Sequence, residues 1–551
     1  MAYFFDLYGK GMKFIMGNNR KRIKYIWMVS REYGDLAGAG GVKDVVSQLA
    51  ETLARWSGRS VHVVLPCYGF MDSISLGFSS LMDPQDPEKV LQCEIDMDHP
   101  DERRREKVRY FFRKINRVSV YLVDSARFRE KRAVYTYTAE EEQAEPWQKE
   151  SMGHYDYCAM NILLQKAAME LMVLLDARPD VIHCHDGHTA VLPAMIRELP
   201  GYRSYFRSSG CLVTIHNAGI GYHQEVGDLP YACAVTGLAK EIIDAHLLDG
   251  KFDPFLVAGS YALLNTVSEN YARELQETES DRFTGWLGHA LLARKVRIEG
   301  ITNGIDPALF NPADMDGDEK FSFDPGNMDD DLRGKRECKI AFLKDLQDGK
   351  WRKKQYGTLD GPGNGPLFTF IGRLSEQKGV DLLLEVLPVL FEKENSVQII
   401  FLGNGDADLE DRLKSFSTDP AWRKRICFIK GYSSDLARRI YCAGDFFVIP
   451  SRFEPCGLTD FIAQLFGNVP VVHLVGGLVK IKDGLTGIGY EEDSPDALLD
   501  ALKRALALYA DRESLRLVQF QGVLEIEKKY TWSRVMKRYV ALYEQSRKLM
   551  F

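Results

Sequence analysis

The sequence has no long apolar run and no clustered cysteines. None of its apolar stretches reaches the roughly 18 residues of a membrane-spanning helix, and its 10 cysteines include no C-x-x-C pair. The N-terminus lacks the apolar segment and the cleavage site of a secretory signal peptide. These absences argue against a membrane protein and against a secreted, disulfide-stabilised one, and they predict a cytoplasmic protein.

The chain also lacks an excess of positive charge. It carries 71 Lys and Arg against 78 Asp and Glu, which gives a formal net charge of −7. Binding to nucleic acid or to an anionic membrane surface depends on a basic face. We therefore expect neither as the main partner, and a small or neutral ligand instead.

Two nucleotide-binding motifs are missing. A P-loop needs Ser or Thr after Gly-Lys, but the residues that follow the four Gly-Lys pairs are Gly11, Phe252, Arg336 and Trp351. The glycine-rich turn at 34–44 does not complete G-x-G-x-x-G, because Lys43 occupies the last position. Nucleoside triphosphate hydrolysis and a dinucleotide site are both disfavoured.

The 551 residues, of which 45% are apolar, exceed one core and predict two domains. Apolar strands alternate with helical patterns in both halves, and this predicts two Rossmann-like, doubly wound α/β domains that face one another across a cleft. The predicted strands are 25–30, 61–66, 181–185, 211–219 and 262–270 in the first half, and 368–374, 396–405, 426–432, 445–451 and 469–477 in the second. The charged stretch at about 80–150 is typical of an exposed excursion, to which we assign no chemistry.

The stretch PSRFEPCGLT (450–459) joins a buried strand to a predicted helix over 457–467. Glu454 therefore lies at the carboxyl end of a strand, where ligands bind in open α/β sheets. The first free N–H groups of the helix, near Gly457 and Leu458, favour an anion such as a phosphate. Alternatively, Glu454 caps the helix or pairs with a neighbouring cation.

Three further features of the second half predict a ligand that carries phosphate. Arg373 ends a strand, Lys378 begins a helix five residues later, and the glycine loop GNGD lies at 403–406. Together the two cations would neutralise a pyrophosphate leaving group. Taken singly, each is equally consistent with an ordinary surface cation.

The motif HCHDGH (183–188) in the first half leaves two interpretations open. His183 and His185 point to one side of a strand, so that they could bind a metal together with Asp186 and His216, as in a metal-dependent hydrolase. The chain has no H-E-x-x-H motif, however, and no later Asp/His group of clear ligand spacing. A structural role for His183 and His185 is the alternative.

Over about residues 24–543 the chain resembles the bacterial glycogen synthases and plant starch synthases. These are retaining glucosyltransferases of glycosyltransferase family 5 with the two-domain GT-B fold. The motifs that carry the resemblance are GAGGVKDV (38–45), HCHDGH (183–188), TIHNAG (214–219), NTVSENYARE (265–274), GITNGID (300–306), GRLSEQKG (372–379), EPCGLT (454–459) and VGGL (475–478).

The resemblance implies a set of site residues. Arg373 and Lys378 would hold the diphosphate of a nucleoside diphosphate glucose, and Glu454 would face the glucose. His188 would bind glucose hydroxyls, and Asp156 would complete the catalytic set. The implied substrate-binding residues are Gly38, Gly40, Gly41, Asp44, Asn217, Asn270, Cys456, Gly457, Leu458, Thr459, Gly476 and Gly477.

The resemblance also implies the domain plan and the reaction. A leader (1–23) would precede an N-terminal domain (24–265), a nucleotide-sugar-binding domain (266–529) and a C-terminal helix (530–551) that returns to the first domain. Glucose would pass from a nucleoside diphosphate glucose, with ADP-glucose favoured, to the non-reducing end of an α-1,4-glucan with retention of configuration. Neither a metal nor a redox cofactor is implied, and the oligomeric state is left open.

The chain departs from the family pattern at three positions. Gly38 replaces a lysine, Gly187 replaces a tryptophan in the histidine motif, and Val475 in the second domain replaces a threonine. These departures keep a second hypothesis open, in which the chain is a weakly active or inactive homologue that binds glucan.

Overall fold

The computed structural model describes residues 23–56, 58–314, 319–361 and 365–549. All but the last residue of the predicted leader lies outside these ranges. The chain forms two compact units: one contains the chain up to Gly304 and the segment from Trp532 onward, and the other runs from Ile305 to Thr531.

The first unit is built on a ten-stranded sheet with two short hairpins beside it. Its strands are β1 (Tyr25–Val29), β2 (Ser60–Pro66), β3 (Ser79–Ser80), β4 (Met82–Asp83), β5 (Asp86–Val90), β6 (Gln92–Asp96), β7 (Arg105–Ile115), β8 (Val118–Asp124), β9 (Val181–His185), β10 (Gly210–Ile215), β11 (Leu247–Leu248), β12 (Lys251–Phe252), β13 (Leu263–Thr266) and β14 (Ile298–Gly300). The strand order is β14-β13-β10-β9-β1-β2-β8-β7-β3, and β6 pairs with β7.

The strands from β14 to β8 in this order are parallel, and β7 runs antiparallel to β8. The stretch at about 80–150, which was expected to be an exposed excursion, contains β7, and this strand extends the sheet over eleven residues. The predicted domain boundary between residues 265 and 266 falls inside this sheet, since β13 pairs with β14. The division of the chain lies later, at Gly304.

The helices of the first unit cover both faces of its parallel strands. They are α1 (Val42–Arg55), α2 (Ala126–Arg129), α3 (Ala139–Ala144), α4 (Tyr157–Leu174), α5 (Leu192–Glu198), α6 (Tyr202–Tyr205), α7 (Leu229–Thr236), α8 (Lys240–Ala245), α9 (Pro254–Tyr261), α10 (Glu269–Glu277) and α11 (Leu287–Ala293). Among the described residues, α4 is the one helix that is long and apolar enough to cross a membrane, and 67% of it is buried inside the protein. It is therefore packed as a core helix.

The second unit has a seven-stranded sheet in the order β15-β18-β17-β16-β19-β20-β21. Its elements are β15 (Gln355–Gly357), β16 (Leu367–Ile371), β17 (Gln398–Gly403), β18 (Ile426–Lys430), β19 (Phe446–Ile449), β20 (Val469–His473) and β21 (Ile488–Tyr490), with helices α12 (Arg333–Gln347), α13 (Val380–Lys393), α14 (Ala407–Thr418), α15 (Ser434–Ala443), α16 (Thr459–Leu465), α17 (Pro495–Ala510) and α18 (Arg512–Glu525). All strands but β15 are parallel. Every residue of β19 is buried, as expected of a strand that helices cover on both sides.

The last helix, α19 (Trp532–Ser546), packs against the first unit. The Tyr543 hydroxyl lies 2.9 Å from Nδ1 of His183 in β9, and the Trp532 indole N–H donates to Gln48 in α1 at 2.7 Å. The prediction of two doubly wound α/β units is confirmed.

Candidate functional site

Each sheet has a point where its strand order reverses direction. In the second unit the chain builds β16, β17 and β18 to one side and β19, β20 and β21 to the other, so that β16 and β19 are neighbours. In the first unit the reversal falls between β1 and β9. Ligands of doubly wound folds bind at such points, beyond the carboxyl ends of the strands. Most of the predicted site residues follow these four strands.

Glu454 and Lys378 form an ion pair at the switch point of the second unit. The Lys378 ammonium lies 2.5 Å from Oε2 of Glu454, and the Ser451 hydroxyl donates to the same oxygen at 3.2 Å. Both side chains are mostly buried, with 22% and 14% exposed. The alternative in which Glu454 pairs with a neighbouring cation is therefore confirmed, and the ligand-binding role of Lys378 stays a prediction.

The loops that carry this pair are bound together by main-chain contacts. The Arg452 amide donates to the Gln377 carbonyl at 2.9 Å, and the Gln377 side chain donates to the Phe453 carbonyl at 3.2 Å. Gly379 has a left-handed φ of +67°, and a Cβ there would lie 2.1 Å from the Pro450 carbonyl oxygen. Glycine is therefore needed at this crossing, which fixes Lys378 beside Glu454.

The VGGL loop (475–478) packs against the main chain at Glu454 and Cys456. A Cβ on Gly476 would lie 2.0 Å from the Glu454 carbonyl oxygen, and one on Gly477 would lie 2.0 Å from that of Cys456. The Gly477 amide donates to the Glu454 carbonyl at 2.9 Å. Both predicted glycines thus permit the close approach that sets the main chain at Glu454.

The helix after Glu454 is shorter than predicted. It spans Thr459–Leu465, so the residues from Cys456 to Leu458 form a turn with Gly457 at φ +71°. The Lys480 ammonium lies 2.5 Å from the Cys456 carbonyl and 2.8 Å from that of Gly457. The Lys480 ammonium therefore fixes this turn, and the anion site expected near Gly457 and Leu458 stays a prediction.

Arg373 lies after β16 and is exposed, and no side-chain partner occurs for it among the described residues. Its guanidinium is therefore available to a ligand at this switch point. In the GNGD loop, a Cβ on Gly403 would lie 2.0 Å from the Gly372 carbonyl oxygen, and Asp406 caps α14 with its carboxylate. The glycines let the loop pack against the backbone near Arg373.

His188 lies in a short 3-10 helix, Gly187–Thr189, at the switch point of the first unit. Burial lowers its pKa well below 6.5, and the nearby Arg31 and His216 lower it further, so the ring is neutral. A neutral imidazole offers one donor and one acceptor, which suits a hydroxyl-rich ligand.

Asp186, two residues earlier, has a backbone conformation that few residues other than glycine adopt, with φ 60° and ψ 177°. Its Oδ1 accepts the amides of His216 at 2.7 Å and Asn217 at 3.3 Å. Burial raises the pKa of this carboxyl to about 7. The strained residue thus connects the two strand ends that carry His188 and Asn217.

The glycine-rich loop is held by Glu32, a residue that the sequence analysis missed. Glu32 Oε2 accepts the amides of Ala39 at 2.9 Å and Gly40 at 3.3 Å, and Tyr135 donates its hydroxyl to Oε1 at 2.5 Å. The Tyr135 ring also lies 4.9 Å from that of His188. One tyrosine therefore contacts both His188 and the carboxylate that fixes the loop.

None of the three predicted loop glycines has a left-handed φ. Gly41 precedes α1, and nothing lies within 4 Å of a Cβ built on Gly40. A Cβ on Gly38 would lie 2.4 Å from Cδ of Lys43, whose side chain covers this glycine. Asp44 lies in the first turn of α1, and burial raises its pKa despite the opposing charge of Lys43.

The Asp156 carboxylate is paired with two cations. Its carboxylate lies 2.6 Å from the Arg127 guanidinium and 2.8 Å from the Lys131 ammonium. Burial favours the neutral acid, but the two cations outweigh it and lower the pKa. The structure therefore keeps Asp156 ionised within an ion network at the start of α4.

Asn217 and Asn270 have different surroundings. Asn217 lies beside Asp186 and accepts the Gly219 amide at 2.8 Å. Asn270 belongs to α10 in the first unit, where its amide group bonds Glu274 at 2.7 Å and Arg273 at 2.7 Å. These contacts tie Asn270 to its own helix.

The histidines of the metal hypothesis are bonded to protein groups. His183 lies 2.7 Å from the Thr214 hydroxyl and 2.9 Å from that of Tyr543, and His185 lies 3.0 Å from Nε2 of His216. Within the described ranges, no group of three or more His, Cys, Asp or Glu side chains has the geometry of a metal site. These contacts support the structural interpretation of His183 and His185.

Gly187 lies where its relatives' pattern predicts a tryptophan, and the structure shows why the side chain is missing. A Cβ at this position would lie 2.2 Å from the His223 carbonyl oxygen and 3.2 Å from that of Tyr222. The main chain at 222–223 fills the space that a side chain would need.

Two residues of the site escaped prediction. Glu32 lies two residues after the end of a predicted strand, and this position is a usable signal. Tyr135 lies in the charged excursion, and no sequence pattern marks its contact with Glu32.

Two family models match the chain. The starch synthase catalytic domain matches residues 25–291, and the glycosyl transferases group 1 domain matches residues 365–507. Glycogen synthase 2 of Geobacter sulfurreducens is 32% identical over 536 residues, which cover 95% of this chain and 98% of that protein. The glycogen synthase of Lactobacillus acidophilus is 29% identical, with 92% and 96% covered.

Solved structures show the same fold. The catalytic domain of starch synthase IV from Arabidopsis thaliana, bound to ADP and acarbose, has a TM-score of 0.75 at 24% identity and covers 96% of this chain and 100% of that one. Sucrose-phosphate synthase from Thermosynechococcus elongatus has a TM-score of 0.53 at 16% identity, with 95% and 98% covered. The predicted GT-B fold is confirmed. The chain belongs to the glycogen synthase and starch synthase family of glycosyltransferases.

Proposed function

We propose that this protein transfers glucose from a nucleoside diphosphate glucose to the non-reducing end of an α-1,4-glucan, with retention of configuration. The observation that carries the proposal is the Glu454–Lys378 pair at the switch point of the second unit, 2.5 Å apart and mostly buried. A carboxylate and an ammonium at one strand edge match a reaction that separates charge. Such a transfer develops positive charge on the sugar and negative charge on the leaving diphosphate.

Each predicted catalytic residue of the second unit then has a role. Glu454 stabilises the positive charge on the glucose ring. The Lys378 ammonium has three N–H donors, so it can bond Glu454 and a phosphate oxygen together. Arg373, exposed after β16, adds a bidentate contact to the diphosphate. The acceptor hydroxyl attacks from the face of the leaving phosphate, whose oxygen takes its proton.

The first unit supplies the contacts to the sugar. The neutral His188 bonds the hydroxyls of the transferred glucose, and Asn217, which is fixed through Asp186, lies at the same edge. Asp44 and the loop at 38–41 serve the donor side. Asp156 lies at the acceptor side. Arg127 and Lys131 are both paired with its carboxylate, and through this ion network it orients groups there.

We infer that ADP-glucose is the preferred donor and that the protein acts in the cytoplasm. The first follows the resemblance to starch synthases, since the related starch synthase IV is described with bound ADP. The second agrees with the free state of all ten cysteines.

The test is a donor panel. Purified protein, glycogen and either ADP-glucose or UDP-glucose are mixed with and without EDTA, and the release of nucleoside diphosphate is measured. We expect faster release with ADP-glucose and no effect of EDTA, because Arg373 and Lys378 supply the charge on the leaving group. Glycogen binding without any release would instead support the glucan-binding alternative. Loss of release with EDTA and its recovery with zinc would favour a metal enzyme.

A further inference from the structure

The loop at 216–223 joins the two sugar contacts that the proposed function assigns to the first unit. It starts directly after β10 and carries Asn217, and its far end packs against Gly187, the residue before His188. A Cβ on Gly187 would lie 2.2 Å from the His223 carbonyl oxygen. The conformation of this loop therefore determines where Asn217 lies and what borders the 3-10 helix that carries His188.

His223 fixes the loop through both nitrogens of its buried ring. Nε2 lies 2.7 Å from the carbonyl oxygen of Ala218, five residues earlier, and Nδ1 lies 2.8 Å from Oδ2 of Asp253, at the start of α9. The His223 side chain is 6% exposed, and that of Asp253 is fully buried. The ring therefore ties the loop to α9.

Both partners of the His223 ring are hydrogen-bond acceptors. A carbonyl oxygen carries no proton, and Oδ1 of Asp253 accepts the amides of Phe255 and Leu256 at 2.9 Å each, contacts that suit a carboxylate. A neutral imidazole has one N–H, so it would leave one of the two contacts without a proton. The imidazolium satisfies both, because it donates from both nitrogens.

The charges around the ring favour the same protonation state. Burial lowers the pKa of His223, but the hydrogen bond to Asp253 and the charge of that carboxylate outweigh burial and raise the pKa above 6.5. Glu225 raises this pKa further, and its carboxylate lies 3.5 Å from the Lys251 ammonium of β12. His223 and Asp253 thus form a buried ion pair.

Four other titratable groups surround the loop: His188 and Asp186 at the 3-10 helix, Tyr271 in α10 and Tyr157 in α4. Burial keeps the tyrosines and the histidine neutral, since it raises the pKa of a phenol and lowers that of an imidazole. Asp186, whose pKa burial raises to about 7, gains a negative charge as the pH rises, and this charge favours a protonated His223. None of the four groups opposes the imidazolium.

We propose that the His223 imidazolium is a positioning group for the sugar site, because it holds the loop at 216–223 between α9 and the 3-10 helix. When the ring loses a proton, one of its two contacts loses its donor, and the loop is released on that side. Asn217 and His188 are then held less firmly, so the affinity for the donor sugar falls as the pH rises. This inference rests on the proposed function for its choice of ligand.

The test uses the chemistry of an amide at position 253. In Asp253→Asn the side-chain oxygen still caps α9, while the N–H₂ group donates to Nδ1 of a neutral His223 ring. That ring keeps its one proton on Nε2 for the Ala218 carbonyl. The variant therefore preserves both contacts and removes the need for the second proton.

Donor affinity is measured between about pH 6 and pH 9. The dissociation constant of ADP-glucose is determined by calorimetry without glycogen, and kcat and KM are determined with glycogen. For the wild type we expect the dissociation constant and the KM to rise about tenfold on the alkaline side of pH 6.5, because one charge-assisted hydrogen bond is lost. For Asp253→Asn we expect no such rise.

Two further variants complete the comparison. His223→Gln presents one N–H₂ group to two acceptors, so its affinity for ADP-glucose should be about tenfold weaker at every pH. His246→Gln is the control, because His246 is a buried histidine of the same unit whose Nε2 lies 2.8 Å from the Ser260 hydroxyl, a group that can donate. This variant should keep the wild-type pH dependence. If Asp253→Asn does not fold, the pH-independent affinity of His223→Gln carries the test.

Nitrogen-15 NMR of histidine-labelled protein reports the protons on the ring directly. The His223 signals are assigned by their absence in His223→Gln. At pH 6.5 both ring nitrogens should carry a proton in the wild type, and only one of them in Asp253→Asn. The spectra and the calorimetry need no turnover. An inactive protein that shows both effects would therefore contradict the proposed transfer and not the role of His223.

A neutral His223 ring in the wild type at pH 6.5 would overturn the proposal. The same would follow if the affinity for ADP-glucose weakened at the same pH in Asp253→Asn as in the wild type, because another group would then carry the pH dependence. A wild-type affinity that stays constant up to pH 9 would also overturn it.

Discussion

At the scale of single residues, the charge of Glu454 is balanced by the Lys378 ammonium, 2.5 Å away. The Glu454→Gln variant keeps the shape of the side chain and removes its charge. We expect a lower melting temperature, because Lys378 loses its counter-ion, and a fall in kcat on the order of 10²-fold or more, because a preorganised charge facing the reacting sugar is lost. Steady-state kinetics with ADP-glucose and glycogen measure this.

The neighbouring Glu376, exposed in the loop that carries Lys378, provides the control. Glu376→Gln changes the same charge at the same strand edge and should leave kcat within about twofold of the wild type, as surface substitutions usually do. Near-normal turnover in Glu454→Gln would show that the carboxylate has no part in the transfer.

Gly38 is the second residue with a distinct prediction. Its φ lies outside the left-handed region, so a side chain is compatible with the backbone. Only the flexible side chain of Lys43 must move. We expect Gly38→Lys to raise kcat/KM roughly tenfold, because one charge-assisted hydrogen bond is worth about 1.5 to 3 kcal/mol.

Gly38→Met controls for side-chain bulk, and melting temperatures are measured on the same preparations. If Gly38→Lys leaves both the melting temperature and kcat/KM unchanged, the loop already obtains its positive charge elsewhere, with Lys43 as the nearest source. This result would contradict the hypothesis that glycine at position 38 weakens donor binding.

At the scale of elements, Tyr135 links the segment between β8 and α4 to the glycine-rich loop. Tyr135→Phe removes only the hydroxyl that donates to Glu32 and keeps the ring beside His188. We expect kcat/KM for the donor to fall about tenfold through a higher KM, because the carboxylate that fixes the loop loses a hydrogen bond. Tyr137→Phe removes a hydroxyl from the same segment between β8 and α4 and should leave the donor KM unchanged.

The same scale shows what a sequence can and cannot predict. The α/β alternation and the positions of Glu454, Lys378 and His188 at strand ends follow from apolar periodicity, which is a local signal. The contact of Lys480 with the turn at Cys456 and Gly457 joins residues more than 20 positions apart, too far for any local pattern. Likewise, the contact of Tyr135 with Glu32 joins residues more than 100 positions apart.

At the scale of the whole molecule, the buried histidines of the first unit couple stability to pH. Burial lowers the pKa of His183 and of His216 to about 3, and those of His185 and His188 also fall well below 6.5. Below pH 6.5 the unfolded chain binds protons at these four sites while the native state does not. The free energy of unfolding therefore decreases as the pH is lowered, by up to about 1.4 kcal/mol per pH unit for each histidine.

Asp186 opposes this trend, because its raised pKa of about 7 means that the native state holds one proton that the unfolded chain has lost near pH 5. His62 and His154, whose pKa values burial lowers to about 4, add to the fall, whereas Asp44, His223 and Asp460, whose pKa values are raised, oppose it with Asp186. Because the lowered histidines outnumber the raised groups, we expect the melting temperature to fall steadily from pH 7 to pH 5. His216→Gln should show a shallower fall over this range. A melting temperature that stays constant between pH 7 and pH 5 would contradict the assignment of neutral buried rings.

The position of α19 has a consequence for how the protein is made. The ribosome releases the chain from its N-terminus, and domains generally fold as they emerge. The second unit, Ile305–Thr531, is complete before α19 appears, whereas the first unit must wait for it. Until then His183 lacks Tyr543, and the surface at Gly210 lacks Ser546, whose hydroxyl would lie 2.3 Å from a Cβ at that glycine. The unit that is synthesised first is therefore the last to be finished.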